Sequence, residues 1–408
     1  MKHLSRLNKT LLLSLLTLFI LYSFANSQWY YSMYFEQEYN SNPFGLPEAE
    51  EDYISQLSMG LRKDWDKVTM QYYGSYFNFK QYTVRNFYWQ QFYLAYAGEA
   101  TTWSFIAENR IDKSDYNIYD YVTIRGGFSH LLTSEKFLWR LNGGLAINTF
   151  HNFSELNNVL MSASTSLNRS FSTRTSIIAS AAFNMKTYLD KQTEIVLPDD
   201  TLMVTETTNN LAAVYSGGGG GGMGPGHGDG GQDGYYYYSP ESENTLVSQF
   251  FFSLRLAQSI TKFTGIAMQF QNRTNLNKYD RSVAGLYGYL AESQIFDDPM
   301  GYQGNSIGAE LTQLFPWQIS IKSAAYYQQK NYVSQGIYLD EENFDQTVLR
   351  EDQYKTFWIL LEKQFPLGSS EYASLNLELN YQWIENISNS YWYDYQSHYI
   401  SIGLQLDL

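Results

Sequence analysis

Downstream of residue 27 the histidines are His130, His151, His227 and His398. A serine hydrolase would need one of them as base, within about 3 Å of its nucleophile. His151 falls near the end of an alternating segment, on its apolar parity, where a lipid-modifying enzyme would hold such a base. No serine shares that parity at the same level of the neighbouring segments; Ser154 falls in a connection, and Asn157 is the nearest amide. No spacing of His, Asp or Glu matches a metal site, and cysteine is absent. "GDGGQDG" (Gly228 to Gly234) echoes a calcium-binding glycine–aspartate repeat, which works only when several repeats stack. The glycine tract before it lacks the lysine and the following helix of a phosphate-binding loop. The expectation is a non-enzymatic chain with no cofactor and no metal.

A second set of charged residues follows a different rule. Arg62, Arg110, Arg125, Arg140, Lys186, Arg255, Arg273 and Lys322, with Glu108, Glu310, Glu362 and Glu378, sit inside segments that alternate apolar and polar residues, always on the polar parity. Both signs of charge on one face would make a poor dry core but an ordinary wet lumen, where they could tune the passage of solutes. Their value depends on the segments that carry them.

Those segments read as β-strands. In "SLNLELNYQW" (Ser374 to Trp383), Leu375, Leu377, Leu379, Tyr381 and Trp383 share one parity and Ser374, Asn376, Glu378, Asn380 and Gln382 the other. Successive side chains of a strand point to opposite faces, whereas a helix would scatter these apolar groups around its circumference. "QFFFSLRLAQ", "VLMSASTSLN", "TGIAMQFQNR", "QISIKSAAYYQ" and "YISIGLQLDL" repeat the pattern. Read throughout, it predicts about sixteen strands, with bounds good to about 2–4 residues.

The connections alternate long and short. Asn40 to Asp52, Asp112 to Asp120, Asp190 to Glu243, Leu276 to Gln303 and Asn331 to Arg350 are long. "KDWDK", "AGEAT", "LTSEK", "SITKF", "FPW" and "FPLGSS" are short. All eight prolines are expected in connections, since proline in a central strand deletes a ladder hydrogen bond. Long loops at one end, tight turns at the other and an even strand count predict an all-β fold. It is a single closed antiparallel up-and-down transmembrane β-barrel over residues 28–408.

Residues 1–27 carry the marks of a cleaved signal peptide: basic Lys2, Arg6 and Lys9, an apolar run from Thr10 to Phe24, and small Ala25 and Ser27 before Gln28. The run is shorter than the roughly 20 residues of a spanning helix. Its removal would take the net charge from −14 to −17, which argues against a nucleic-acid partner. Acidic loop residues (Glu48, Glu50, Glu51, Asp52; Asp297, Asp298; Asp340, Glu341, Glu342, Asp345) form a solvated rim.

The terminal "SIGLQLDL" resembles the C-terminal assembly signal of outer-membrane barrels, with polar Ser401, then Gly403, Leu406 and a terminal apolar Leu408 where that signal usually ends in an aromatic residue. By architecture the chain resembles sixteen-stranded porin-like proteins of bacterial outer membranes. The resemblance implies insertion by the barrel-assembly machinery, contact with outer-membrane lipid and lipopolysaccharide, a possible homo-oligomer, and often an aqueous channel. Both termini would be periplasmic and the long loops extracellular.

Six consecutive glycines would ruin a strand, since glycine loses the most freedom on ordering and packs nothing. In an external loop spanning 190–243 they cost little. Tyr235, Tyr236, Tyr237 and Tyr238 could stack on a glycan or partner, but the better reading begins the next strand there, at the interface belt. Two functions follow: a porin-like channel for small solutes through a mixed-charge lumen, or a non-enzymatic barrel whose external loops dock a surface partner or glycan.

Overall fold

The computed structural model describes residues 29–134, 137–152, 154–189, 237–238, 246–277, 283–284, 298–341, 343–367 and 373–408. The signal segment, the glycine tract, His227, the 228–234 stretch, Tyr235 and Tyr236 lie outside the described residues. Among the described residues the strands are β1 (Trp29–Asn40), β2 (Asp52–Trp65), β3 (Val68–Phe79), β4 (Phe87–Ala97), β5 (Thr101–Asp112) and β6 (Tyr121–Thr133). There follow β7 (Leu138–Phe150), β8 (Asn158–Ser170), β9 (Thr175–Tyr188), β10 (Tyr237–Tyr238), β11 (Leu246–Ser259) and β12 (Thr264–Asn275). The last six are β13 (Val283–Ala284), β14 (Tyr302–Phe315), β15 (Ile319–Tyr338), β16 (Phe344–Pro366), β17 (Ser374–Ser388) and β18 (Tyr395–Asp407).

All of these except β10 and β13 close into one barrel in chain order, and β1 pairs antiparallel with β18 across the seam. That is the sixteen-stranded architecture of bacterial outer-membrane barrels. Closure pairs every wall strand on both sides, which a wall standing in hydrocarbon requires.

The alternation of the sequence becomes the two faces of the wall. On β11, Phe250, Leu254 and Leu256 are exposed to the outside, while Gln249, Ser253 and Arg255 share the inner parity with Asn275, Gln271 and Gln269 of β12. On β18, Ile400, Ile402 and Leu404 are exposed, and Ser397 and Ser401 are buried inside. Met33, Phe35, Leu57 and Met59 continue the apolar outer face across the seam. A soluble molecule does not leave a belt of Leu, Ile, Phe and Met in water on this scale.

One end carries the tight turns 66–67, 98–100, 134–137, 171–174, 260–263, 316–318 and 367–373. The other carries 41–51, 80–86, 113–120, 151–157, 189–245, 276–301, 339–343 and 389–394. Trp29 and Leu408 both stand at the tight-turn end, where the Tyr31 amide donates to the Leu408 carbonyl at 3.0 Å.

Three expectations need correction. The long connection expected over 331–350 is mostly strand: β15 and β16 run on as a hairpin and leave only 339–343 between them, with a register irregularity near Gly336. Val333, Ile337 and Tyr338 are buried there, so packing extends the ladder past the wall. Pro366 is not in a connection but closes β16 opposite Ser374, a strand-end position that proline tolerates. Tyr237 and Tyr238 do not open the next wall strand, which begins at Leu246; they pair with Ala284 and Val283 outside the barrel.

The two faces predict opposite responses to one substitution. Leu254→Arg should destabilise the barrel in lipid by about 2–4 kcal/mol, and Ser253→Arg, one residue away, should cost far less. Reversible urea unfolding into and out of phospholipid vesicles measures both.

Candidate functional site

The inner face is assembled by ladder register, row by row. Trp89 pairs with Arg110 and Gln91 with Glu108, which aligns Glu108 and Arg110 with the inward aromatic and amide groups of β4. Ile106 pairs with Arg125, and Arg140 pairs with Leu131 and Ser166 on the same parity. Lys186 pairs with Val247, Phe251 with Arg273, and Arg255 with Gln269. Glu310 pairs with Ala324 and Lys322 with Thr312. Glu362 pairs with Ser320 and Glu378, and Arg62 with Tyr30. The twelve charged positions singled out in the sequence thus share the face opposite the exposed apolar belt.

They are not equivalent. Arg255 meets Glu310 at 2.6 Å, and Glu310 also accepts from the Tyr326 hydroxyl at 2.6 Å. Lys322 meets Glu362 at 2.8 Å, and Lys186 pairs with Asp298 from the 276–301 connection. Glu108 accepts from the Tyr121 hydroxyl at 2.7 Å and from Gln91 at 3.0 Å. Arg273 lies over Phe251, 4.9 Å from the ring centre. Arg125 and Arg140 are exposed on the inner face.

An Arg-x-Asp spacing recurs that the sequence reading passed over: Arg62/Asp64, Arg110/Asp112 and Arg350/Asp352. Period two puts both members on one face of a strand, side by side. Arg62–Asp64, at the tight-turn end, is half exposed. At the other end Arg110 donates twice to Asp112, each at 2.8 Å, with both side chains 1% exposed. Its guanidinium lies 3.7 Å from the Phe87 ring centre. Arg350 pairs with Asp352 in the same manner and lies 3.3 Å from the Tyr393 ring centre and 4.1 Å from that of Tyr332. A guanidinium suits both tasks, since its edge forks onto a carboxylate and its face stacks on a ring.

The long-loop end is narrowed by segments that turn inward. In 41–51, Phe44 and Leu46 are buried against inward Ile54, Phe77, Phe79 and Phe87 and against Tyr338 and Trp392. Asn42 shapes the segment by donating to the Leu46 carbonyl at 2.7 Å and accepting from the Leu46 amide at 2.9 Å. Gly45 sits at φ +66° with the Tyr395 ring 3.1 Å from where a Cβ would be, so both backbone and space demand glycine. Arg85 of the 80–86 connection reaches over Phe44, Tyr116 and Tyr119 at 4.4–4.7 Å from each ring centre. Asp52 accepts the amides of Lys80, Gln81 and Tyr82 at 2.9–3.1 Å, which ties the 80–86 connection to the start of β2. On the far side Met300 packs with Tyr188 and Val247.

Electrostatics outside the wall follows burial. Burial and the hydrogen bond to Glu50 push the Tyr82 hydroxyl well above the usual tyrosine range. Burial, with the carboxylates of Glu385 and Asp352 nearby, raises Asp394. Of the described histidines, His130 shares a hydrogen bond with the Thr101 hydroxyl at 2.7 Å, His398 stacks on Tyr381, and His151 is exposed. Gly403 carries the Tyr34 ring against its backbone, 2.7–3.1 Å from a would-be Cβ, at the β1–β18 seam. Leu408 is exposed at the tight-turn end, beside outward-facing Leu406.

No family model matches the chain, and no curated protein matches it. Among solved structures it is similar to Acinetobacter baumannii OccAB3, with 5% identity over 93% of this chain and 100% of that one and a TM-score of 0.49. It is similar to Pseudomonas aeruginosa OccK1 (OpdK), with 8% identity, 93% and 99% coverage and a TM-score of 0.48. It is also similar to a bacterial polysaccharide outer membrane secretin, with 8% identity, 93% and 97% coverage and a TM-score of 0.44. These likenesses concern the course of the chain around a barrel and carry nothing about cargo.

One buried and one exposed Arg-x-Asp pair give a direct contrast. Asp112→Ala leaves Arg110 charged and buried, and should cost about 3–5 kcal/mol. Asp64→Ala should cost at most about 1 kcal/mol, because water already screens that pair. Equilibrium unfolding in detergent micelles compares them.

Proposed function

We propose that the protein is an integral barrel of a bacterial outer membrane that passes small solutes through a polar, mixed-charge lumen. One observation carries this reading. The wall has sixteen strands, about twice the number at which inward side chains fill a barrel, and its inner face carries charge of both signs while its outer face is apolar. Ion pairs such as Arg255–Glu310 and Lys322–Glu362 hold the inner charges against the wall rather than across it. In this reading the tight turns and both termini are periplasmic and the long connections external, the arrangement of bacterial barrels. Gly403, Leu406 and Leu408 serve the assembly machinery, and the apolar belt meets lipid and the lower part of lipopolysaccharide.

A second reading has a specific observation behind it. Phe44, Leu46 and Met300 turn inward at the long-loop end, as they would in a barrel whose mouth is closed and whose external loops hold a partner. Tyr235 to Tyr238 and the rest of 190–243 would then be the docking surface.

Planar-bilayer recordings separate the two. The channel reading predicts stepwise ohmic conductance from the refolded protein, and persistence of those steps after deletion of 216–234. A folded protein that never conducts would reject it in favour of the binding barrel.

A further inference from the structure

Sorting charge by strand around the closed wall gives a pattern hidden along the chain. Six wall strands in succession, β6, β7, β8, β9, β11 and β12, contain no aspartate or glutamate at all. They present Arg125, Arg140, Lys186, Arg255 and Arg273 inward. Four strands in succession, β17, β18, β1 and β2, present Glu378, Asp407, Glu36, Glu38, Asp52 and Asp64 inward. Their one inward base, Arg62, is paired with Asp64. β3 and β4 carry no charged residue. In a sixteen-stranded wall half a turn is eight strands. The middle of the acidic sector, between β18 and β1, therefore lies diametrically opposite the middle of the basic one, between β8 and β9.

Neutralisation within the wall does not erase the pattern. Arg255 is answered by Glu310 of β14, and Lys186 by Asp298. Arg125 and Arg140 remain exposed inside, and Arg273 meets rings and the Gln249 side chain. Opposite them, Glu378, Gly403 and Glu36 lie in one ladder row, so two carboxylates flank a residue with no side chain. Glu36 accepts from the Tyr399 hydroxyl at 2.6 Å, which holds its position without cancelling its charge.

We propose that this segregation sets an electric field across the lumen and that the channel favours small zwitterionic solutes. The ammonium turns toward β17–β2 and the carboxylate toward the arginines of β6–β12. The inference rests on the channel reading above. An anion gains at one wall what it loses at the other, and a cation does the reverse, whereas a net-neutral dipole gains from both. Low-dielectric walls focus such a field into the water between them. The barrel is about 30 Å across between backbones, from the strand spacing and tilt, so a solute the size of an amino acid is oriented by the field rather than clamped between walls.

Swelling of proteoliposomes in glycine and in its neutral isomer glycolamide tests this, since the two differ in charge separation and not in composition. The protein should admit glycine faster by about fivefold, the ratio that roughly 1 kcal/mol of favourable interaction gives. R125Q/R140Q and E36Q/E378Q should each bring that ratio close to one, and heat-modifiable migration of each variant on a denaturing gel, matching that of the parent, shows that it folds and inserts. Equal entry of the two solutes would overturn the inference and leave the channel standing. A glycine preference that survives both double variants would also overturn it. Entry of neither solute would remove the channel reading and this one with it.

Discussion

The constraint on which everything else rests is that hydrocarbon offers the backbone no hydrogen-bond partner. Each amide and carbonyl of a spanning segment must be paired within the protein, and a sheet achieves that only by closing on itself. Closure here is the pairing of β1 with β18, from Ser32–Asp407 to Asn40–Tyr399. Once the wall is closed, the two-residue period of the strand decides every side chain's surroundings. One parity meets lipid and the other the enclosed space, and a slip of one residue would exchange them all. Leu254 and Arg255 are neighbours in sequence and on opposite sides of the wall.

A wall of this circumference cannot be filled by its own inward side chains, and the chain treats the two ends of its interior differently. Toward the tight turns, inward groups such as Arg62 and Asp64 stay hydrated and weakly coupled. Toward the long loops, Arg110–Asp112 and Arg350–Asp352 are sealed against aromatic rings, and Phe44 and Leu46 of segment 41–51 are buried against Phe87, Tyr338 and Trp392. Burying an ion pair is costly unless its remaining polar groups are satisfied. Bidentate contact and ring faces meet that demand, with Asn386 donating to Asp352 and Gln335 accepting from Arg350. The mouth is thus held to one arrangement by groups that tolerate few others.

Much of this was legible in the sequence because alternation is a strong signal. The parity of "SLNLELNYQW" fixed which side of β17 carries Glu378, and the loop lengths fixed which end carries the turns. What stayed hidden depends on contacts between distant segments. Nothing in "NSNPFGLPEAEED" says that Phe44 and Leu46 turn inward, because their partners, Tyr338 and Trp392, lie some three hundred residues away. The hairpin beyond Asn331 looked like a loop because its support comes from the same cluster. Tyr237 and Tyr238 look like an interfacial strand until their partners, Ala284 and Val283, are known. The Arg-x-Asp spacing could have been read, since strand geometry alone places such residues side by side. The charge division among sectors could not, because it exists only once β18 meets β1.

The chain has no cysteine, so single cysteines can be placed at adjacent wall positions without background. In vesicles, cysteines at positions 253 and 255 should react with a membrane-impermeant maleimide through the aqueous interior. A fluorophore attached at 254 or 256 should instead be quenched by nitroxides on lipid acyl chains. Lipid quenching at 253 and 255 with aqueous labelling at 254 and 256, or no lipid contact at any of the four, would contradict the account.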